Sequence, residues 1–160
     1  MELKSPNGAI IVSLKITDEV RYSVSCNADE LFTNNSMALE LKNDVLGSSP
    51  KLLSAKASAG NSIIKPYISL KYSTVTSIYN KLVLTFKGNY AVEFRVFNSG
   101  IAFRFITSKK GDIEVLNEQV DLDFPANYDL HVQQPGGFET AYAENYLTVS
   151  SADWNTKMST

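Results

Sequence analysis

The sequence predicts an all-β fold, an antiparallel β-sandwich forming a single domain over residues 1–160. Three observations carry that expectation. Apolar and polar residues alternate along run after run. The runs are separated by turn residues at short, regular spacing. No i, i+3, i+4, i+7 stripe is long enough for a substantial helix. Many short strands punctuated in this way pack as a sandwich or barrel.

The elements follow in order. Ser5-Pro6-Asn7-Gly8 is a turn, and residues 9–16 read as a strand with Ile10, Val12, Leu14 and Ile16 on one face. Thr17-Asp18-Glu19 turns the chain into a second alternating run, Val20, Tyr22, Val24 and Cys26, which completes a first hairpin. Within residues 31–41, only 38–41 suggest a short strand. Residues 45–62 are rich in Ser, Ala, Lys and Gly, are interrupted by Pro50 and Gly60, and read partly as loop.

The strand signal then returns. Residues 67–72 alternate, and 79–86 predict a longer strand that groups Leu82, Leu84 and Phe86. After the Lys87-Gly88-Asn89 turn comes the clearest hairpin, residues 92–105, with Asn98-Ser99-Gly100 at its tip. Asn98 and Gly100 suit a tip that needs positive φ. Lys109-Lys110-Gly111-Asp112 is an exposed turn, and residues 113–124 are strand-like through Val115, Val120, Leu122 and Phe124. Pro135-Gly136-Gly137 breaks regular structure in the tail, and residues 150–160 read as a frayed end or as the start of a segment that continues elsewhere.

Composition narrows the function. A chain of 160 residues that is 44% hydrophobic can bury one real core. With 17 acidic against 15 basic residues, a net charge of -2 argues against nucleic-acid binding. No basic block marks a membrane surface, and apolar runs fall far short of the roughly 20 residues a spanning helix needs. Met1 is followed at once by Glu2, Leu3 and Lys4, so no signal peptide is visible. That fits a cytosolic protein or a mature domain without its export signal. Cys26 is alone, cannot close an internal disulfide, and reads as a small buried hydrophobe.

No nucleophile elbow, zinc spacing or phosphate loop is present. The single histidine, His131, reads as a solvent-exposed or hydrogen-bonded structural residue. Arg95 and Arg104 read as partners of acids across the sheet, and the aromatics as core or strand-surface positions. Asn34-Asn35-Ser36 is an N-x-S glycosylation triplet. Glycoside hydrolysis needs only paired carboxylates, but the residues alone do not choose a pair. Glu139 follows Gly136-Gly137 and lies between Phe138 and Tyr142. On the residues alone it is either a solvated loop acid or one ligand of a hard cation such as calcium.

The order of segments is more specific than any one of them. Ser5-Pro6-Asn7-Gly8, Tyr22-Ser23-Val24-Ser25, Ala38-Leu39-Glu40-Leu41 and Tyr79-Asn80-Lys81-Leu82 precede the hairpin. Asn117-Glu118, Phe124-Pro125 and Phe138-Glu139-x-x-Tyr142 follow it. This ordered set resembles the N-terminal domain of glycoside hydrolase family 97, the α-glucosidases and α-galactosidases of Bacteroidetes type. Departures are Ser99, where the family commonly has Asp, Phe105 and Phe138, where it commonly has Tyr, and residues 63–73, which lack the Trp and Gly often seen there.

The resemblance implies part of a galactose-mutarotase-like supersandwich, packed in the parent against a catalytic (β/α)8 barrel that this chain lacks. It implies a calcium ion near the catalytic carboxylates, with Glu139 on the family's ligand position and Asn98 close to the same site. The chain would then be a non-catalytic wall of the active site in a periplasmic or secreted enzyme acting on α-linked oligosaccharides. Cut from its parent, such a domain is expected to self-associate through open strands. The rival expectation is a free-standing carbohydrate-binding or accessory β-sandwich.

Overall fold

The computed structural model describes residues 1–154 apart from 69, 70, 135, 136, 138 and 140–142. The all-β expectation holds: the described residues form twelve strands and a 3₁₀ turn. Contacts divide the chain into two compact units, Met1–Asp123 and Phe124–Thr160. No helix among the described residues is long and apolar enough to cross a membrane.

The first unit holds two antiparallel sheets. One contains β1 (Glu2–Lys4), β2 (Ile10–Ile16), β3 (Val20–Cys26), β4 (Asp29–Leu41) and β10 (Val115–Val120), in the order β1-β2-β3-β4-β10. The short β5 (Asp44–Leu46) also pairs with β4. The other sheet runs β6-β7-β8-β9, with β6 (Leu52–Ile64), β7 (Val75–Phe86), β8 (Tyr90–Phe97) and β9 (Gly100–Thr107).

Alternation places the core between the sheets. Ile10, Val12 and Leu14 of β2 and Val20, Tyr22 and Val24 of β3 are buried, as their spacing predicts. From the facing sheet come Leu82, Leu84 and Phe86 of β7 and Val92, Phe94 and Val96 of β8. The Tyr22 ring meets Phe94 at 5.9 Å and Phe103 at 5.8 Å, both tilted, so aromatic contacts cross the layers. Burying each such ring stabilises the fold by about 2–3 kcal/mol.

Five expectations need correction. β4 spans 13 residues where only 38–41 read as strand, because Asn35 and Ser36 are buried polar residues that hide the alternation. β6 is a strand of 13 residues where the sequence read partly as loop. It pairs with β7 from Leu52↔Phe86 to Ile64↔Val75, and its Ser and Ala are tolerated because it is an edge strand with little to bury. Residues 67–72 form no strand at their described positions, and in the 113–124 run strand pairing is confined to Val115–Val120. Finally, Asn98 and Gly100 do not adopt positive φ; the left-handed residues lie at the other end of β8, at Gly88 (φ 103°) and Asn89 (φ 61°).

The second unit contains β11 (Asp129–Val132) paired antiparallel with β12 (Leu147–Ser150). The Ser151 N–H donates to the Tyr128 carbonyl at 2.8 Å, and the Tyr128 N–H donates to Ser151 Oγ at 3.0 Å. Its end is thus tied by a 3₁₀ turn, Ser151–Asp153, and residues 155–160 lie outside the described residues.

Candidate functional site

Asn98 stands in the two-residue connection between β8 and β9, exposed. Its Oδ1 accepts a hydrogen bond from the Asn7 N–H at 3.0 Å, which ties the hairpin tip to the β1–β2 turn. That turn is well built. Ser5 Oγ donates to Asn7 Oδ1 at 2.7 Å and accepts from the Ile10 N–H at 3.0 Å, and Gly8 takes φ 76°. An amide oxygen has two acceptor positions, so the bond to Asn7 occupies one of them.

Behind the tip lies a charged cluster that the sequence reading anticipated only as acid partners for arginines. Glu93 is buried on the face of β8 turned away from the core. Its Oε1 accepts from Arg95 Nη2 and Nε, each at 2.8 Å, and from Arg104 Nη2 at 3.1 Å. Lys81 Nζ lies 3.8 Å from Oε2. Burial pushes the Glu93 pKa up, but the hydrogen bond and charge of Arg95, joined by Arg104, outweigh it and hold the carboxyl below its usual range. Arg95 also lies 4.7 Å over the Tyr79 ring, and Tyr79 packs on Phe97 at 5.2 Å. Gly60 is required beneath that ring: a Cβ there would come within 2.3 Å of it. The β8–β9 hairpin carrying Asn98 is therefore fixed on both faces.

Sequence reasoning missed a second polar group. Asn35 Oδ1 accepts from the Asp123 N–H at 2.7 Å, Ser36 Oγ donates to the Asp121 carboxylate, and Gln119 Nε2 donates to Ser36 Oγ at 2.9 Å. The Asn35 amide nitrogen is buried without a partner of good hydrogen-bond geometry. It still offsets part of the upward push that burial gives the Tyr22 hydroxyl. The sequence offered only the Asn34-Asn35-Ser36 glycosylation triplet here, which says nothing of burial.

Glu139 lies in the second unit, exposed and outside regular strand. Its expected aromatic neighbours Phe138 and Tyr142 are outside the described residues. His131 fulfils its structural reading, with Nδ1 3.0 Å from Oγ1 of its cross-strand partner Thr148. Cys26 is a free thiol at the end of β3, packed against the core. Among the described residues, no group of three or more His, Cys, Asp or Glu could hold a metal ion. Asn98, in the first unit, and Glu139, in the second, each carry an oxygen of the donor type that calcium takes, and neither alone approaches the roughly six to eight donors it needs.

A profile for the family described as "Glycosyl-hydrolase 97 N-terminal" matches residues 3–160. A retaining alpha-galactosidase of Bacteroides thetaiotaomicron is 33% identical over 127 residues, covering 78% of this chain and 19% of that enzyme. The chain thus spans about a fifth of its curated relative's length. Among solved structures, a glycoside hydrolase family 97 enzyme from Pseudoalteromonas sp. strain K8, in complex with acarbose, superposes with a TM-score of 0.78 at 21% identity. The match covers 93% of this chain and 24% of that one. A beta-arabinopyranosidase gives a TM-score of 0.80 at 20% identity over 92% of this chain and 26% of its own. At such identities these structures establish the fold alone.

Proposed function

Because the chain belongs to the N-terminal domain family of the family 97 glycosyl hydrolases, we propose that it forms one wall of the active site in a calcium-dependent α-glycosidase. The observation that carries this reading is the family match over residues 3–160, together with a much longer relative, a retaining alpha-galactosidase of which the match covers 19%. In the parent, a (β/α)8 barrel supplies the catalytic carboxylates and the remaining metal ligands, and this domain completes a supersandwich against it. Glu139 lends a carboxylate to the calcium, and Asn98 an amide oxygen at the hairpin tip.

The substrate is an α-linked oligosaccharide, α-glucosidic or α-galactosidic. Solved family members hold panose and acarbose, which supports that class. The parent works in the periplasm or outside the cell. Separated from the barrel, the 160-residue chain self-associates through its uncovered strands.

The test uses the full-length parent. Glu139→Gln keeps the size of the side chain and removes its charge, and should raise the calcium needed for half-maximal α-glycosidase activity roughly tenfold or more. Calorimetric titration with calcium should show the same loss. An unchanged calcium response removes Glu139 from the metal site.

A further inference from the structure

The β6–β9 sheet departs from an ordinary rule of charge placement. Its strands carry the cations Lys56, Lys81, Arg95 and Arg104 and the single acid Glu93, in a chain whose net charge is -2. Strand register puts all of them on the face turned away from the core. Lys56 pairs with Val83, Val83 with Glu93 and Glu93 with Arg104, which makes one row across the sheet. Lys81 pairs with Arg95 in the next row. Like charges directly opposite each other destabilise a strand pair. A local rule broken beyond what Glu93 offsets is the signature of a site chosen for binding and not for folding.

Glu93 gathers these cations but uses few of their donors. Arg95 gives Nε and Nη2 to Oε1, and Arg104 gives Nη2 to the same oxygen. Lys81 Nζ stands 3.8 Å from Oε2, too far for a hydrogen bond. A guanidinium has five N–H donors and an ammonium three. No described residue accepts from Arg95 Nη1, from Arg104 Nε or Nη1, or from Lys81 Nζ. The Arg104, Arg95 and Lys81 side chains are 60%, 32% and 29% exposed, so these donors are open to a ligand. They are also held in place. Both guanidinium groups meet one oxygen, and Arg95 lies over the Tyr79 ring. Three cations around one carboxylate leave two positive charges uncancelled.

We propose that Lys81, Arg95 and Arg104 form a binding site for a tetrahedral dianion, a phosphate or sulfate group, seated over Glu93 on the outer face of the sheet. Two guanidinium forks and one ammonium, from three neighbouring strands, donate to its oxygens. A dianion matches the uncancelled charge, which a single carboxylate would only halve. Lys56, further along the row, adds to the field that attracts it. Inorganic phosphate and a phosphate monoester on a sugar present the same oxygens, and both carry close to two charges at neutral pH. The site is independent of the enzymatic reading above.

NMR titration of the 160-residue chain with inorganic phosphate, at neutral pH and at an ionic strength held constant with sodium chloride, tests the site. Saturable shifts should appear at the Arg95 and Arg104 side-chain Nε and at the amides around them. Arg104→Gln should raise the phosphate dissociation constant about tenfold. Arg104→Lys keeps the charge without the fork and should recover only part of that loss. Lys15→Gln, on β2 of the other sheet, changes the net charge equally and should leave the constant unmoved. Circular dichroism checks folding, and Lys81→Gln replaces Arg104→Gln if that variant fails to fold. Glucose 6-phosphate, with glucose as control, separates the sources. Binding at least as tight as that of inorganic phosphate assigns an ester, and weaker or no binding assigns the free anion. No saturable shift in wild type, the same shifts with chloride alone, or a constant unmoved by both Arg104→Gln and Lys81→Gln overturns the site. None of these outcomes bears on the calcium response of the parent.

Discussion

The centre and the margins of the first unit have equally regular strand pairing and very different burial. Val12, Val92 and Phe94 are fully buried where β2 and β8 face each other. β6, hydrogen-bonded along its whole length, has no fully buried residue, and β10 is exposed throughout. Pairing decides where strands form; the second layer decides where stability resides. Phe94→Ala should therefore destabilise the chain by about 3–5 kcal/mol. Val120→Ala should stay within about 0.5 kcal/mol at dilution. Urea denaturation of both variants checks the contrast, and equal losses would mean that the β10 margin is covered in solution.

The outer face of β8 sharpens the same comparison, because there burial is achieved without a second layer. Glu93 is covered by the side chains of its own cations. Removing its charge by Glu93→Gln leaves Lys81, Arg95 and Arg104 mutually repelling around one site. Those cations are partly solvated, so the loss should be about 1–3 kcal/mol, below that of a fully interior pair. The pH dependence has a definite sign. A carboxyl held below its ordinary value of 4.5 contributes its full stabilisation above that value. The contribution is lost as pH falls through the lower folded value. Wild type and Glu93→Gln should differ at neutral pH and converge in acid; a constant gap would assign the effect to packing rather than charge.

This contrast also explains what could be read from the sequence. β2, β3 and β8 announced themselves because one face of each is buried, which forces alternation at Ile10, Val12 and Leu14 and again at Val92, Phe94 and Val96. β6 did not, because an uncovered edge strand places no apolar demand on Ala55, Ala57 and Ala59. β4 was obscured for the opposite reason, since Asn35 and Ser36 are buried through hydrogen bonds that no periodicity encodes. At the site, Arg104 meets an acid across the sheet as expected, but Arg95 meets Glu93 on its own strand, and nothing in the sequence said that both would converge there.

Asn98 gives a small effect and separates two roles for one oxygen. Its bond to the Asn7 N–H spans 91 positions of sequence and ties two turns together, but it is exposed, and water can replace it. Asn98→Ala should cost about 0.5–1 kcal/mol, toward the low end for a single hydrogen bond. Asn98→Asp keeps an acceptor for Asn7 and should recover most of that loss. In the full-length parent the same pair divides the roles. If the oxygen also meets calcium, Asp should bind the ion at least as tightly as Asn, and Ala should weaken it. If Ala lowers stability but leaves calcium binding unchanged, the oxygen serves only to hold the β1–β2 turn against the hairpin, and Glu139 stands as the sole metal ligand proposed from this chain.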